Sequence, residues 1–200
     1  MKAVWFAAAM AVSMNVFASD NNSDKKELQQ LLEQTQSLSA EFEQQVKDEQ
    51  GNVLQSLSGT MTLKRPANLY WHTMRPDETV MVANGEKVWY YNPFVDQVTI
   101  YAQQDMVDNS PLLLVLDSNT NQWQNYSVTY TDERYLVKHN NDNSQLELAF
   151  DGNKLKEITM IQAHGERTEL ILNDVALNTQ IDDQQFTFKV PAGVDVDDQS

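Results

Sequence analysis

The chain has 200 residues, of which 41% are hydrophobic and 22% are charged, as in a globular domain with a sizeable core. Its 29 acidic residues outnumber its 14 basic residues, so the formal net charge at pH 7 is −15. Such a surface repels phosphate, which disfavours nucleic acids and anionic membranes as partners and favours basic protein surfaces. The absence of cysteine excludes disulfides, thiol catalysis and a lipid carried on an N-terminal cysteine.

The N-terminus has the pattern of a secretory signal peptide. Lys2 supplies a positive charge, residues 3–16 are almost wholly apolar, and small residues precede Ser19. The apolar run is too short to span a bilayer. We therefore predict a signal peptide over residues 1–18 and a single soluble domain over residues 19–200, located in the periplasm or secreted.

An amphipathic helix follows the signal peptide. From Ser23 onwards, Leu28, Leu31 and Leu32 recur at spacings of three and four, which places them on one helical face. The spacing predicts about three helical turns packed on a sheet.

The rest of the chain alternates apolar and polar residues in short segments separated by turn residues. Asn84 and Gly85, for example, suit a tight hairpin turn because both tolerate positive φ. About eleven strands with scarcely a helix between them predict a mainly β (α+β) fold, an antiparallel meander curled into a barrel or half-barrel. The predicted segments are 42–47, 53–63, 69–73, 79–83, 87–91, 98–101, 126–130, 135–138, 146–150, 155–161, 168–172 and 186–190.

One segment interrupts the strands with a helix start signal. Ser110 is a suitable N-cap and Pro111 suits the first helical position. A short helix that is apolar all round must cover something, either as ordinary core or as a lid over the open face of the sheet. The apolar residues are Leu112, Leu113, Leu114, Val115 and Leu116.

Arg65 is a charged residue at the end of an apolar strand face. The period of two places it on the same side as Leu63 and Met61. An inward guanidinium is costly unless it finds hydrogen-bond acceptors. The alternative is that Pro66 ends the strand and Arg65 turns out to water.

Motifs for catalysis or metal binding are missing from the sequence. It has no Gly-x-Ser-x-Gly, no glycine-rich phosphate loop and no His-Glu-x-x-His. The three histidines have no ligand spacing, and the acidic residues at 195–198 lack the pattern of a calcium loop. These features favour a binding protein over an enzyme.

Several motifs resemble the LolA family of periplasmic outer-membrane lipoprotein carriers, in order and over nearly all of the mature chain. Leu69 stands where relatives often carry phenylalanine, which bears on the detailed shape of the cavity. The similar segments are KRP at 64–66, WH at 71–72, PDE at 76–78, NG at 84–85, WYYNPF at 89–94, NSP at 109–111 and GVDVDDQ at 193–199.

The resemblance implies an incomplete antiparallel β-barrel covered by a lid of short helices, with an apolar cavity between them for the acyl chains of lipoproteins. It implies a periplasmic monomer without stable membrane association, enzymatic activity or cofactor. The carrier would receive lipoproteins from the inner-membrane ABC complex LolCDE and deliver them to the outer-membrane receptor LolB.

We predict that Arg65 is the latch of this lid, through hydrogen bonds to the unpaired carbonyls of the helix ending near Val115 and Leu116. Two other functions remain open at this point: a lipocalin-like binder of a small free lipid, and an interaction module whose aromatic residues form a protein interface. The predicted cavity residues are Leu32, Met61, Leu63, Leu69, Trp71, Val82, Trp89, Leu112, Leu113 and Leu114.

Overall fold

A computed structural model describes residues 21–104, 121–141 and 144–200. The helices that lie wholly in these ranges are the α-helix α1 (Asn21–Glu33) and two 3₁₀ helices, Asn121–Asn125 and Asp183–Phe186. The strands are β1 (Ser37–Lys47), β2 (Val53–Lys64), β3 (Asn68–Arg75), β4 (Thr79–Asn84), β5 (Lys87–Asn92), β6 (Gln97–Ala102), β7 (Tyr126–Thr131), β8 (Arg134–His139), β9 (Gln145–Asp151), β10 (Lys154–Ile161), β11 (Arg167–Leu177) and β12 (Asp195–Gln199).

All twelve strands form a single sheet in the order β12-β6-β5-β4-β3-β2-β1-β11-β10-β9-β8-β7. Its pairs are antiparallel except β12 with β6, which is parallel. The order has two ends, β12 and β7, so the sheet is an open curved one, in agreement with the predicted mainly β, incomplete barrel.

Helix α1 lies against the inner face of this curved sheet. Its Leu28 and Leu32 are buried and belong to the same core cluster as Phe42 of β1 and Leu148 of β9. Full burial of one leucine side chain contributes about 1.5–3 kcal/mol. The predicted amphipathic face is therefore the one that attaches α1 to the sheet.

The first turns of α1 cover the edge strand β7. The buried Asp24 accepts a hydrogen bond through Oδ2 from the backbone N of Tyr130, at 2.9 Å. Lys25 Nζ donates to the carbonyl of Tyr126, at 3.0 Å, and also to that of Trp123. Because unpaired groups on an edge strand attract other chains, these contacts protect β7 and fix the N-terminal half of α1 to it.

The segment after β11 crosses the outer face of the sheet. Its 3₁₀ helix Asp183–Phe186 lies against β3 and β4, and Phe188 packs on Tyr91 with ring centroids 5.9 Å apart. Val82, Val98 and Phe186 are buried there and stand apart from the inner cluster. The sheet is thus covered by apolar contacts on both faces over β3 to β6.

One prediction for this C-terminal segment is wrong, and one strand was missed. The predicted strand over residues 186–190 is absent, because Phe186 ends a 3₁₀ helix that Asp182 caps by accepting from the backbone N of Gln184 at 3.0 Å. The acidic run at 195–198 forms β12, which the sequence did not indicate, and its side chains are exposed. The period of two cannot reveal a strand whose faces are both polar.

Candidate functional site

An apolar cavity lies between α1 and the inner face of the sheet. Residues from α1, from the segment leading into β1, and from strands that lie on both sides of β1 meet there. Its described lining consists of Leu32, Thr35, Leu38, Met61, Leu63, Arg65, Leu69, Trp71, Phe150, Leu155 and Ile158.

The register of β2 with β3 explains the central part of this wall. Met61 lies opposite Trp71, and Leu63 lies opposite Leu69. Directly opposed residues project from the same face of a sheet, so these four side chains form one apolar surface. The ring of Phe42 on β1 extends that surface, with its centroid 4.2 Å from that of Trp71.

The cavity is nearly closed in this structure. Its free volume is about 30 Å³. This is little more than one water molecule requires. A ligand as large as an acyl chain can enter only if α1 and the sheet move apart.

Arg65, which follows directly after β2, connects the sheet to the end of α1. Its Nε donates to the carbonyl of Thr35 at 2.8 Å, and its Nη2 donates to the carbonyl of Leu32 at 2.9 Å. Its backbone N donates to the carbonyl of Gln36 at 2.9 Å. These acceptors belong to the last turn of α1 and the residues after it, where the helix dipole is negative and carbonyls lack the regular i+4 partner. The carbonyl of Leu32 also accepts from the backbone N of Thr35 at 3.1 Å.

The partners predicted for Arg65 at Val115 and Leu116 lie outside the described residues. Pro111, Leu112, Leu113 and Leu114 lie outside them as well. Within the described part of the chain, Arg65 therefore bonds the predicted first helix, α1.

Six of the predicted site residues meet in one place. Leu32, Met61, Leu63, Leu69 and Trp71 line the cavity together with Arg65. Their grouping follows from periodicities within single elements, which a sequence displays directly.

Val82 and Trp89 were predicted to line the cavity, and this prediction is wrong. Val82 lies opposite Tyr70 on β3 and opposite Trp89 on β5, whereas the cavity residue Leu69 lies opposite Ala83. Val82 and Trp89 therefore project from the outer face of the sheet. The error arose because β4 carries apolar residues on both faces. Its outer face is apolar because the C-terminal segment covers it.

Phe150, Leu155 and Ile158 are cavity residues that the prediction missed. A signal existed, because Leu146, Leu148 and Phe150 recur at the strand period of two; the two leucines project into the core, and Phe150 projects into the cavity. What the alternation could not show is that β9 and β10 face β2 and β3 across the curved sheet.

Neither a metal-binding cluster nor a membrane-spanning helix is found among the described residues. No group of three or more histidine, aspartate and glutamate side chains is placed there to hold a metal ion. In the same ranges, no helix combines the length and apolar character needed to cross a bilayer.

The chain is similar in sequence to curated lipoprotein carriers. The profile of the family described as "Outer membrane lipoprotein carrier protein LolA" matches residues 33–189. An outer-membrane lipoprotein carrier protein from Idiomarina loihiensis is 74% identical over 200 residues, covering 100% of both chains. The protein of the same name from Pseudomonas aeruginosa is 34% identical over 198 residues, covering 96% of this chain and 95% of the relative.

Solved structures share the fold at low identity. A LolA superfamily protein from Nitrosomonas europaea superimposes with a TM-score of 0.52 at 13% identity, covering 86% of this chain and 99% of that one. MucB superimposes with a TM-score of 0.50 at 11% identity, covering 88% of this chain and 66% of that one. These likenesses concern the fold alone.

Proposed function

The chain belongs to the LolA family of outer-membrane lipoprotein carrier proteins, and we propose from this that it binds the acyl chains of lipoproteins released from the inner membrane and delivers them to an outer-membrane receptor. The observation that carries the proposal is the apolar cavity beneath α1, at whose rim Arg65 donates hydrogen bonds to the carbonyls of Leu32 and Thr35.

Energetics explain why such a cavity is needed. Each methylene removed from water contributes about 0.8 kcal/mol, so three acyl chains with roughly 45 methylenes would cost on the order of 35 kcal/mol to expose. Unaided diffusion of a lipoprotein through water is therefore excluded. The same free energy would oppose release of the acyl chains, which would be impossible if closing the cavity again gave no compensating stabilisation.

Arg65 is proposed as the latch that makes release possible. Loading separates α1 from the sheet and breaks the bonds from the guanidinium to the carbonyls of Leu32 and Thr35. A hydrogen bond to a charged group contributes about 1.5–3 kcal/mol. Restoring these bonds, and the packing of the collapsed cavity, offsets part of the cost of giving up the acyl chains.

We propose further that the mature protein starts at Ser19 and works in the periplasm. Without residues 1–18 the chain has 13 basic and 29 acidic residues, a net charge of −16. Such a surface suits transient docking to basic patches on the LolCDE complex, which would supply lipoproteins, and on LolB, which would receive them. The acidic surface also keeps a protein with an apolar cavity in solution.

Mass spectrometry of the protein purified from the periplasm tests this function. We expect a chain that begins at Ser19 and copurifies with diacylated or triacylated protein. A small extractable lipid without any lipoprotein would instead support the lipocalin-like alternative. A protein that copurifies with neither ligand, and that is found in the membrane fraction with residues 1–18 retained, would contradict both the carrier function and the signal peptide.

A further inference from the structure

A second concavity lies between one flank of α1 and the strands β7 to β9. Its free volume is about 440 Å³, against about 30 Å³ for the apolar cavity. We call it the polar groove. Its described lining consists of Glu27, Gln30, Leu31, Gln34, Tyr130, Glu133, Tyr135, Phe150 and Gly152.

The chemistry of the polar groove suits a polypeptide backbone. Gln30 of α1 and Gln34, which directly follows α1, carry amides that both donate and accept hydrogen bonds. Tyr130 and Tyr135 on the opposite wall have ring centroids 4.7 Å apart and present aromatic surface together with hydroxyl groups. An extended peptide offers alternating N–H and C=O groups, which such mixed walls can satisfy.

The acidic side chains of the groove add a charge preference. Glu27 accepts a hydrogen bond from the hydroxyl of Tyr135 at 2.9 Å, and Glu133 lies in the β7–β8 turn. These carboxylates disfavour an acidic ligand and favour a neutral or basic one.

The groove and the apolar cavity share a wall. Phe150 lines both, and its ring packs edge-on against Tyr135 with centroids 5.9 Å apart. On α1, Leu32 lines the cavity, whereas Gln30 and Leu31 line the groove. Helix α1 is therefore the partition between an apolar and a polar compartment, and a ligand that displaces its C-terminal end reaches both.

We propose that the polar groove binds the polypeptide segment that directly follows the acylated N-terminal residue of a lipoprotein, while the acyl chains occupy the apolar cavity. This rests on the carrier function proposed above. In such a ligand the acyl chains and the polypeptide leave from the same residue, so the polar segment must lie at the edge of the apolar compartment. The groove occupies that position and has the matching chemistry.

Site-specific photocrosslinking tests this placement. A photoreactive phenylalanine derivative replaces Gln30 in the groove, and a control places it at Ile171, which is 43% exposed on β11 away from both compartments. After loading with a lipoprotein and irradiation, crosslinks from position 30 should map to the first few residues after the acylated one, and position 171 should give none there. Crosslinks scattered over the folded client, or missing from an intact complex, would overturn the proposal.

A binding comparison separates failure of the groove from failure of the carrier function. The probes are triacylated cysteine and triacylated cysteine followed by five uncharged residues. The native protein should bind the longer probe several-fold more tightly, and the double variant Gln30→Leu with Gln34→Leu should bind both equally while retaining affinity for the shorter one. Equal binding of both probes by the native protein rejects the groove, whereas binding of neither rejects the carrier function itself.

The double variant should keep its fold. Gln30 and Gln34 are both exposed; leucine is a good helix former at position 30, and position 34 lies just after the end of α1. A several-fold preference for the longer probe that persists in this variant would also overturn the assignment.

Discussion

The guanidinium of Arg65 donates through Nη2 to the backbone carbonyl of Leu32 at 2.9 Å, across 33 positions of the chain. Leu32 thus contributes to the closed cavity in two ways. Its side chain lines the cavity, and its carbonyl accepts a hydrogen bond from Arg65. The N-terminal half of α1 is separately attached to β7 through Asp24 and Lys25. If Arg65 is the latch, we expect its release to turn α1 about this attachment to β7.

The first prediction concerns the latch. Arg65→Leu keeps bulk and removes the donors, so the open state should gain at least tenfold in population relative to the closed one, since 1.4 kcal/mol corresponds to a factor of ten. We expect the variant to accept lipoprotein and to transfer it poorly to LolB in vitro. Arg65→Lys should show a milder defect because it retains the charge without the planar fork.

Arg75→Leu is the matched control, because Arg75 is an exposed arginine at the end of the neighbouring strand β3. It should transfer like the native protein. If Arg65→Leu delivered lipoprotein at the native rate, Arg65 would be only a structural contact at the end of α1, and the latch would be rejected.

The second prediction uses two tryptophans on opposite faces of the sheet. Trp71 lines the cavity, whereas Trp89 projects from the outer face. Addition of a triacylated lipopeptide should change the tryptophan emission of the native protein and of Trp89→Phe, because Trp71 meets the acyl chains. The change should be lost in Trp71→Phe. Retention of the full change in Trp71→Phe would place the acyl chains elsewhere.

The third prediction concerns the close approach of β2 and β3 at Gly59. A Cβ atom at this position would lie 1.9 Å from the backbone oxygen of His72 and 3.0 Å from the ring of Phe42. Gly59→Ala should therefore lower the free energy of unfolding by about 1–3 kcal/mol, the usual cost of overpacking. Ser58→Ala, one position earlier on β2, should have a much smaller effect. Urea denaturation measures both, and equal stabilities would show that β2 and β3 separate without cost.

The fourth prediction concerns stability at acid pH. Arg134 donates two hydrogen bonds to Glu157, at 3.0 and 2.9 Å, and thereby holds the pKa of this carboxyl below its ordinary value of 4.5. A depressed folded-state pKa means that the stabilisation is fully present above the unfolded value and is lost as pH falls through the folded one.

Glu157→Gln should therefore lower the free energy of unfolding at pH 7, and the difference from the native protein should shrink as pH falls below 4.5. Denaturant titrations at pH 7, 5 and 3 measure the difference. Glu166→Gln is the control, because the Glu166 carboxylate lies 4.0 Å from the exposed His164 and accepts a hydrogen bond from the neutral amide of Gln162 at 3.1 Å, which a glutamine oxygen can also accept. This variant should leave the curve nearly unchanged. A constant difference at all three pH values would exclude the ion pair as its cause.

The amino-acid sequence by itself determined the features that depend on neighbours along the chain. Alternation placed Met61, Leu63, Leu69 and Trp71 on one side of adjacent strands, and the spacing of Leu28 and Leu32 defined the buried face of α1. The high proportion of strands indicated a curled sheet. These signals are local because the side-chain periods of helix and strand are set by the backbone.

Only the tertiary structure decided which distant elements meet. The C-terminal segment buries the outer face of β3 to β6, so both parities of β4 are apolar and the sequence could not assign Val82 to a face. The bonds from Arg65 to the carbonyls of Leu32 and Thr35 join positions 33 and 30 residues apart. The opposition of Phe150 to Trp71 in one cavity likewise depends on the curvature of the whole sheet. Curvature and long-range packing arise from all strands together, so no single segment carries their signal.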